Sequence, residues 1–376
     1  MSIKPKKQIE QLKPYPIGMT LEDIQSKYQP KKLRKMSDNE NVYGFSSKVT
    51  EALRSSLHSL SLYPDATTER LCEQLSYQHK VPKNYFLIGN GSEELIRLLT
   101  RAFISDGDEA IMADITFPIY KSNVMIEGGL PVFVPIVEGT HDLQAMYEAI
   151  SDRTKMIFIC NPNNPTGTCV DPSELKKFIQ KIPAHILVVL DEAYDEYMEQ
   201  HQKIDSITLL MEHPNLVLLR TFSKIYGLAA LRVGYGIMHP TVMEQLIKVK
   251  EVFNVNKLGQ NAAIVALKDQ PFVKDCAEKN LIERNYLSRR LSEQNLSFFP
   301  SQTNFLFIYN LGEIESLNER LLQQGIVSRF FPFPQFNGSM RLTLGTREDH
   351  ETLLDVFDGL YTKEEVANNG SQSSLT

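Results

Sequence analysis

Residues 218–235, LLRTFSKIYGLAALRVGY, decide the reading of this 376-residue chain. They open inside an apolar run, Val217-Leu218-Leu219, of the kind that forms a buried strand. Thr221, Ser223 and Lys224 follow at once, Gly227 loosens the backbone behind them, and Arg232 stands eight residues past the lysine. A lysine at the mouth of a core strand is expensive to bury unless it has a partner or a reaction to perform. Two hydroxyls before it and an arginine after it suit an anion. The combined expectation is a Schiff-base lysine beside a phosphate cradle. A solvated loop lysine is the alternative.

Upstream, apolar runs at 110–113, 131–135, 156–160, 186–190, 216–219 and 233–237 read as strands. Helical patterns near 118–127, 142–150, 173–181 and 204–211 lie between several of them. Such alternation predicts an α/β fold with a mostly parallel sheet covered on both faces. Ligands on such sheets gather at the carboxyl ends of the strands. The polar motifs fall there: Asn161-Pro162-Asn163-Asn164-Pro165-Thr166-Gly167 after 156–160, Asp191-Glu192-Ala193-Tyr194 after 186–190, and Lys224 after 216–219. Phe86-Leu87-Ile88-Gly89-Asn90-Gly91-Ser92-Glu93-Glu94 is a strand, a glycine turn and a helix start, which aims backbone N–H groups at whatever lies there. It has neither dinucleotide nor P-loop spacing, so a single phosphate suits it better than a nucleotide.

Asp191, at the end of ILVVL, demands a cationic or donor partner in a dry place, and a protonated pyridine nitrogen is one. A helix cap or structural ion pair is the competing role. Tyr194 and Asn164 could reach a cofactor's phenolic oxygen, and Phe117 could stack on its ring or simply fill the core. Ser223, Arg232 and the N–H groups of residues 91–93 would hold its phosphate.

Composition bounds the remainder. The chain is 42% hydrophobic, enough for a large core and two domains. A net charge of -6 without a long basic stripe argues against nucleic acid. Cys72, Cys160, Cys169 and Cys276 have neither metal nor disulfide spacing, which fits a reducing compartment. The opening MSIKPKKQ lacks a signal peptide's apolar core, and no run is long enough to span a membrane, so a cytoplasmic protein is expected. After 240 the pattern is helical to about 290. Strands at 302–308 and 340–344 then suggest a smaller domain, with Gly325-Ile326-Val327-Ser328-Arg329 leading into a Phe- and Pro-rich stretch between them. The tail from 363 is expected to be disordered.

The motifs NPNNPTG (161–167), DEAY (191–194), TFSKIYGLAALRVGY (221–235), FNVN (253–256), QTNF (302–305) and RLTLGT (341–346) closely resemble those of the histidinol-phosphate aminotransferases, of the aspartate-aminotransferase-like fold type I. The resemblance runs from Leu12 to about residue 355. It implies a homodimeric enzyme that holds pyridoxal 5'-phosphate and moves an amino group from a small donor to 2-oxoglutarate. Lys224 would be the Schiff-base lysine and Asp191 the partner of the pyridine nitrogen. Asn164 and Tyr194 would lie near the phenolic oxygen and Phe117 over the ring. Ser92, Glu93, Ser223 and Arg232 would bind the cofactor phosphate, joined by Tyr63 from the other subunit. Tyr15 and Arg329 match residues near the substrate's phosphate, and Arg341 an arginine that clamps a carboxylate. The implied division is an N-terminal arm at 1–45, a large domain at 46–255, a small one at 256–362 and the tail at 363–376. Val42, Ile115 and Ala230 depart from the family pattern, and the stretch from Arg329 to Arg341 is longer than usual. An aromatic amino-acid aminotransferase, a pyridoxal-dependent decarboxylase and a non-catalytic cofactor-binding module are the alternatives.

Overall fold

A computed structural model describes residues 3–14 and 18–360; Tyr15 and the tail from 363 lie outside them. Its strands are β1 (Arg34–Lys35), β2 (Phe86–Gly89), β3 (Glu109–Ala113), β4 (Leu130–Val134), β5 (Thr154–Cys160), β6 (Leu187–Asp191), β7 (Leu216–Thr221), β8 (Gly234–Met238), β9 (Ser297–Phe298), β10 (Phe305–Tyr309), β11 (Ile326–Val327), β12 (Arg329–Phe331) and β13 (Ser339–Thr343). Seven of these form one sheet in the order β2-β8-β7-β6-β5-β3-β4. Its pairings are parallel except where β8 runs against β2 and β7.

Alternation along the strands explains how the sheet is buried on both faces. On β5, Ile157 and Ile159 join one apolar cluster while Met156, Phe158 and Cys160 join another. β6 divides likewise, Val188 and Leu190 against Leu187 and Val189. The helices Ser92–Phe103, Ile119–Ile126 and Pro240–Val249 cover the Phe158 face, through residues such as Leu95, Tyr120 and Leu246. The helices Pro172–Lys181 and Ser206–Glu212 cover the opposite one, through Phe178 and Leu209.

A second, antiparallel sheet, β12-β13-β10-β9, carries a third cluster. Leu306, Ile308, Met340 and Leu342 pack there with Leu353 and Phe357 of the helix Arg347–Asp358. Phe305, Phe307, Arg341 and Thr343 alternate with those residues and so occupy the other face.

The helices that follow residue 256 pack against both bodies. The helix Lys257–Leu267 buries Ala262, Ala263, Ala266 and Leu267 in the large-sheet cluster. The following 24-residue helix, Gln270–Glu293, contributes Val273 and Cys276 to that cluster but Leu287 and Leu291 to the small-sheet core. One continuous helix serves both bodies, so the change of partner falls inside it, near Asn280–Arg284. A composition shift cannot reveal such a change.

Candidate active site

Beyond the carboxyl ends of β5, β6 and β7 lies a cavity of about 200 Å³. It is lined by Ser92, Glu93, Phe117, Asn164, Asp191, Tyr194, Ser223, Lys224 and Arg232, all expected there, and by Gly91, Cys160, Ala193 and Thr221. Register brings them together: Cys160 pairs with Asp191, and Thr221 with Gly234.

At one end is a cradle of donors. The helix Ser92–Phe103 starts at Gly91, which has φ +79° and no side chain to cap the first N–H groups. Those donors therefore face the cavity. Arg232 Nη1 donates to Ser223 Oγ at 3.3 Å. Two glycines make room for this. A Cβ at Gly91 would stand 2.7 Å from Arg232 Nη2, and one at Gly234 would stand 2.3 Å from the Ser92 nitrogen. Backbone donors, a hydroxyl and a guanidinium in one concavity fit a phosphate.

At the other end is Asp191, 4% exposed. Its Oδ2 accepts from the Tyr120 hydroxyl at 2.7 Å and its Oδ1 from the Ala193 N–H at 3.1 Å. Burial pushes the carboxyl up to about 6, opposed by those two donors and the Lys224 charge. A cationic N–H in the cavity would favour the ionised form further.

Lys224 lies between the two ends. Its Nζ donates to the Asp38 carbonyl at 3.0 Å and sits 5.7 Å from the centre of the Tyr194 ring. Burial, then the nearby Arg341 charge, brings its ammonium down to about 8; Glu40 and Asp38 pull the other way. Neutral amine, the nucleophilic form, is thus present at mild pH. Tyr194 accepts from Asn39 Nδ2 at 2.9 Å and from Asn164 Nδ2 at 3.4 Å. Arg341 Nη1 donates to Asn164 Oδ1 at 2.6 Å, which joins the small sheet to the cavity wall. The donor set suits a flat aromatic ring with a phosphate at one end, a basic nitrogen at the other and a carbonyl near the lysine.

Other motif residues are structural. Asn163 ties its loop together by donating to the Ile115 carbonyl and Thr166 Oγ1, each at 3.0 Å. Glu192 pairs with Arg220 at 2.9 Å, away from the cavity lining. Asn254 donates to Glu94, and Asn256 caps the helix Lys257–Leu267. Asn304 donates to the Asn39 carbonyl at 3.0 Å.

Three of the expected residues that are described do not line this cavity, and of these Arg341 meets its wall through Asn164. Arg329 is on β12, directly opposite Arg341 on β13. Tyr63 is 79% exposed and stacks on Phe253 at 4.6 Å. Tyr15 lies outside the described residues. Asn39 and Tyr120 also touch the site and were not singled out in the sequence. Asn39 sits in the run Ser37-Asp38-Asn39-Glu40-Asn41, dense in turn formers, and its contact with Tyr194 spans 155 positions. Tyr120 stands three residues after Phe117 and resembles any core aromatic.

Residues 31–357 match the family described as aminotransferase class I and II. The chain is 41% identical to the histidinol-phosphate aminotransferase of Brevibacillus brevis, over 96% of this chain and 99% of that protein. It is also 41% identical to the Bacillus subtilis enzyme of that name, over 94% and 98%. Among solved structures, that of the histidinol-phosphate aminotransferase of Sinorhizobium meliloti in complex with pyridoxal-5'-phosphate superposes with a TM-score of 0.87 at 26% identity, over 96% of this chain and 99% of that one.

Proposed function

This chain is an aminotransferase of the histidinol-phosphate aminotransferase family, and we propose that it exchanges an amino group between L-histidinol phosphate and 2-oxoglutarate, giving imidazole-acetol phosphate and L-glutamate, with pyridoxal 5'-phosphate as its cofactor. Family membership as an aminotransferase sets aside the decarboxylase and the non-catalytic module. The observation that carries the donor's identity is the pairing of Arg329 with Arg341 across β12 and β13. Directly opposed residues share a face, with Cβ atoms about 5 Å apart, and like charges there repel. Arg341 reaches Asn164 on the cavity wall, and the register puts Arg329 on the same face of the small sheet. A dianionic phosphate offsets that repulsion, and the two carboxylates of glutamate do the same in the second half-reaction.

The N–H groups of Ser92 and Glu93, Ser223 Oγ and Arg232 would hold the cofactor phosphate. Asp191 would hold the ring nitrogen, Asn164 and Tyr194 the phenolic oxygen, Phe117 one ring face, and Lys224 the aldehyde carbon. The bound cofactor supplies an electron sink that makes the donor's amino-bearing carbon acidic. Lys224 Nζ, freed when the incoming amine takes its place, would take the proton from that carbon as general base and deliver it as general acid to the cofactor carbon that had carried the aldehyde. Asn164, through its contacts with Tyr194 and Arg341, ties the cofactor end of the cavity to the substrate end. One set of residues serves both halves, so ping-pong kinetics are expected.

Leu57, Leu60, Leu62, Tyr63, Val252 and Phe253 are all exposed, and a homodimer in which Tyr63 serves the partner's cofactor phosphate would cover such a surface. Four free cysteines suit a cytoplasmic setting. Among the described residues no helix is long and apolar enough to cross a membrane.

A second reading, transfer from aromatic amino acids, is favoured by Phe305 and Phe331, whose ring centres lie 5.5 and 5.9 Å from the Arg341 guanidinium carbon. The variant Arg329→Ala separates the two. It should lower kcat/KM for histidinol phosphate by about 100-fold and for phenylalanine by no more than about threefold, since only the phosphate needs the second cation. Equal losses, or a wild-type preference for phenylalanine, would promote the aromatic reading.

A further inference from the structure

Tyr120, in the first turn of the helix Ile119–Ile126, is completely buried. Its ring stacks on Phe158 at 4.6 Å and 11°, and meets Phe117 edge-on at 5.6 Å and 81°. Phenylalanine would make the same ring contacts. The hydroxyl is what needs explaining, because a buried hydroxyl is costly without a partner. Its partner is Asp191 Oδ2, at 2.7 Å. An ionised carboxylate has about four acceptor sites. Tyr120 takes one on Oδ2 and the Ala193 N–H one on Oδ1, so sites remain for a donor in the cavity.

We infer that Tyr120 is a positioning residue for the reaction: its hydroxyl holds Asp191 ionised and oriented to receive the cofactor's ring nitrogen. This rests on the pyridoxal phosphate reading. A hydrogen bond to the charged form of a carboxyl favours that form. Without it, a carboxyl already pushed up to about 6 by burial rises further, and at neutral pH part of the protein must lose a proton before the cofactor can bind. The sign is definite. Removal of the hydroxyl weakens cofactor binding at low pH, and the loss fades as pH rises and Asp191 ionises unaided.

The groups facing Asp191 are Tyr120 from its helix, Cys160 at the end of β5, the Ala193 N–H and Tyr194 beyond β6, and Lys224 beyond β7. Burial raises the thiol and both phenols, so they stay neutral over the range of interest. Lys224 titrates within it. Each variant is therefore compared with its parent at the same pH.

The measurement is the dissociation constant of pyridoxal phosphate from the apo-protein, by absorbance titration between pH 6 and 9. Y120F should bind about tenfold more weakly than wild type at pH 6.5 and within about threefold of it at pH 9. In the D191N background, which cannot ionise at that position, the ratio should be flat with pH. A pH-independent loss, or the same loss in both backgrounds, would reduce Tyr120 to a packing residue and overturn the inference. Should Y120F fail to fold, 3-fluorotyrosine at position 120 keeps the ring contacts and makes the hydroxyl a stronger donor. It should tighten binding by about twofold at pH 6, and no change would overturn the inference equally. If wild type bound no pyridoxal phosphate at any pH, the cofactor reading itself would fail, which is a distinct result.

Discussion

Lys224 shows how a single side chain is prepared for chemistry by what surrounds it. Burial and the Arg341 charge lower its ammonium to about 8, from an ordinary 10.5. Its labelling in the apo-protein by an acylating reagent, followed by mass spectrometry of the Lys224 peptide, should therefore show a midpoint near pH 8. Arg341→Gln removes the cation that contributes most, so the midpoint should rise. An unmoved midpoint would leave burial alone as the cause. The lysine was legible in the sequence because a charged residue at the mouth of a core strand needs a reason. Asn39 was not legible: it looks like a turn residue until folding places its amide against the Tyr194 hydroxyl and Thr343, joining both sheets at one point.

At the scale of elements, the phosphate cradle depends on how closely β8 approaches the start of the helix Ser92–Phe103. Gly234 has no Cβ, and one placed there would meet backbone at 2.3 to 3.0 Å. Gly236, two residues on, would meet the Met238 methyl at 2.6 Å, the end of a flexible side chain. Gly234→Ala should thus cost about 1–3 kcal/mol of stability and weaken pyridoxal phosphate binding more than about tenfold, whereas Gly236→Ala should cost under about 1.5 kcal/mol and leave binding intact. Thermal melts and absorbance titrations of the two apo-proteins check this. The Phe- and Pro-rich stretch after Arg329 becomes β12 and a hairpin loop. Phe331 stacks on Phe333 at 5.1 Å and 8°, and Phe336 meets Phe307 of β10 at 5.5 Å. That aromatic wall stands beside Arg341, the Phe331 ring centre lying 5.9 Å from its guanidinium carbon.

For the whole molecule, the test concerns sites shared between subunits. If Tyr63 serves the partner's cofactor, K224A and Y63F should each be impaired alone. Unfolded together and refolded as mixed dimers, they should regain about a quarter of wild-type activity, since half of the dimers then carry one intact site of two. No recovery above the parents would mean that Tyr63 and Lys224 of the same subunit serve one site, or deny the dimer. The two sheets of one chain are themselves joined at close contacts. The Gln302 N–H donates to the Gly167 carbonyl at 2.8 Å, and a Cβ on Gly167 would stand 2.5 Å from Ser301 Oγ.

By itself, the sequence determined the strand and helix alternation, the placing of its motifs at strand ends, and the identity of most of the lining residues from Ser92 to Arg232. These are local matters, set by hydrophobic period and by the cost of burying polar groups without a use. Only the tertiary structure decided what depends on distant segments. It reversed β8 within the sheet and set Arg329 opposite Arg341. It carried one helix from the large core into the small one, and it brought the Tyr120 hydroxyl to Asp191 across 71 positions. No local pattern encodes a partner that far along the chain; packing two faces of a sheet at once selects it.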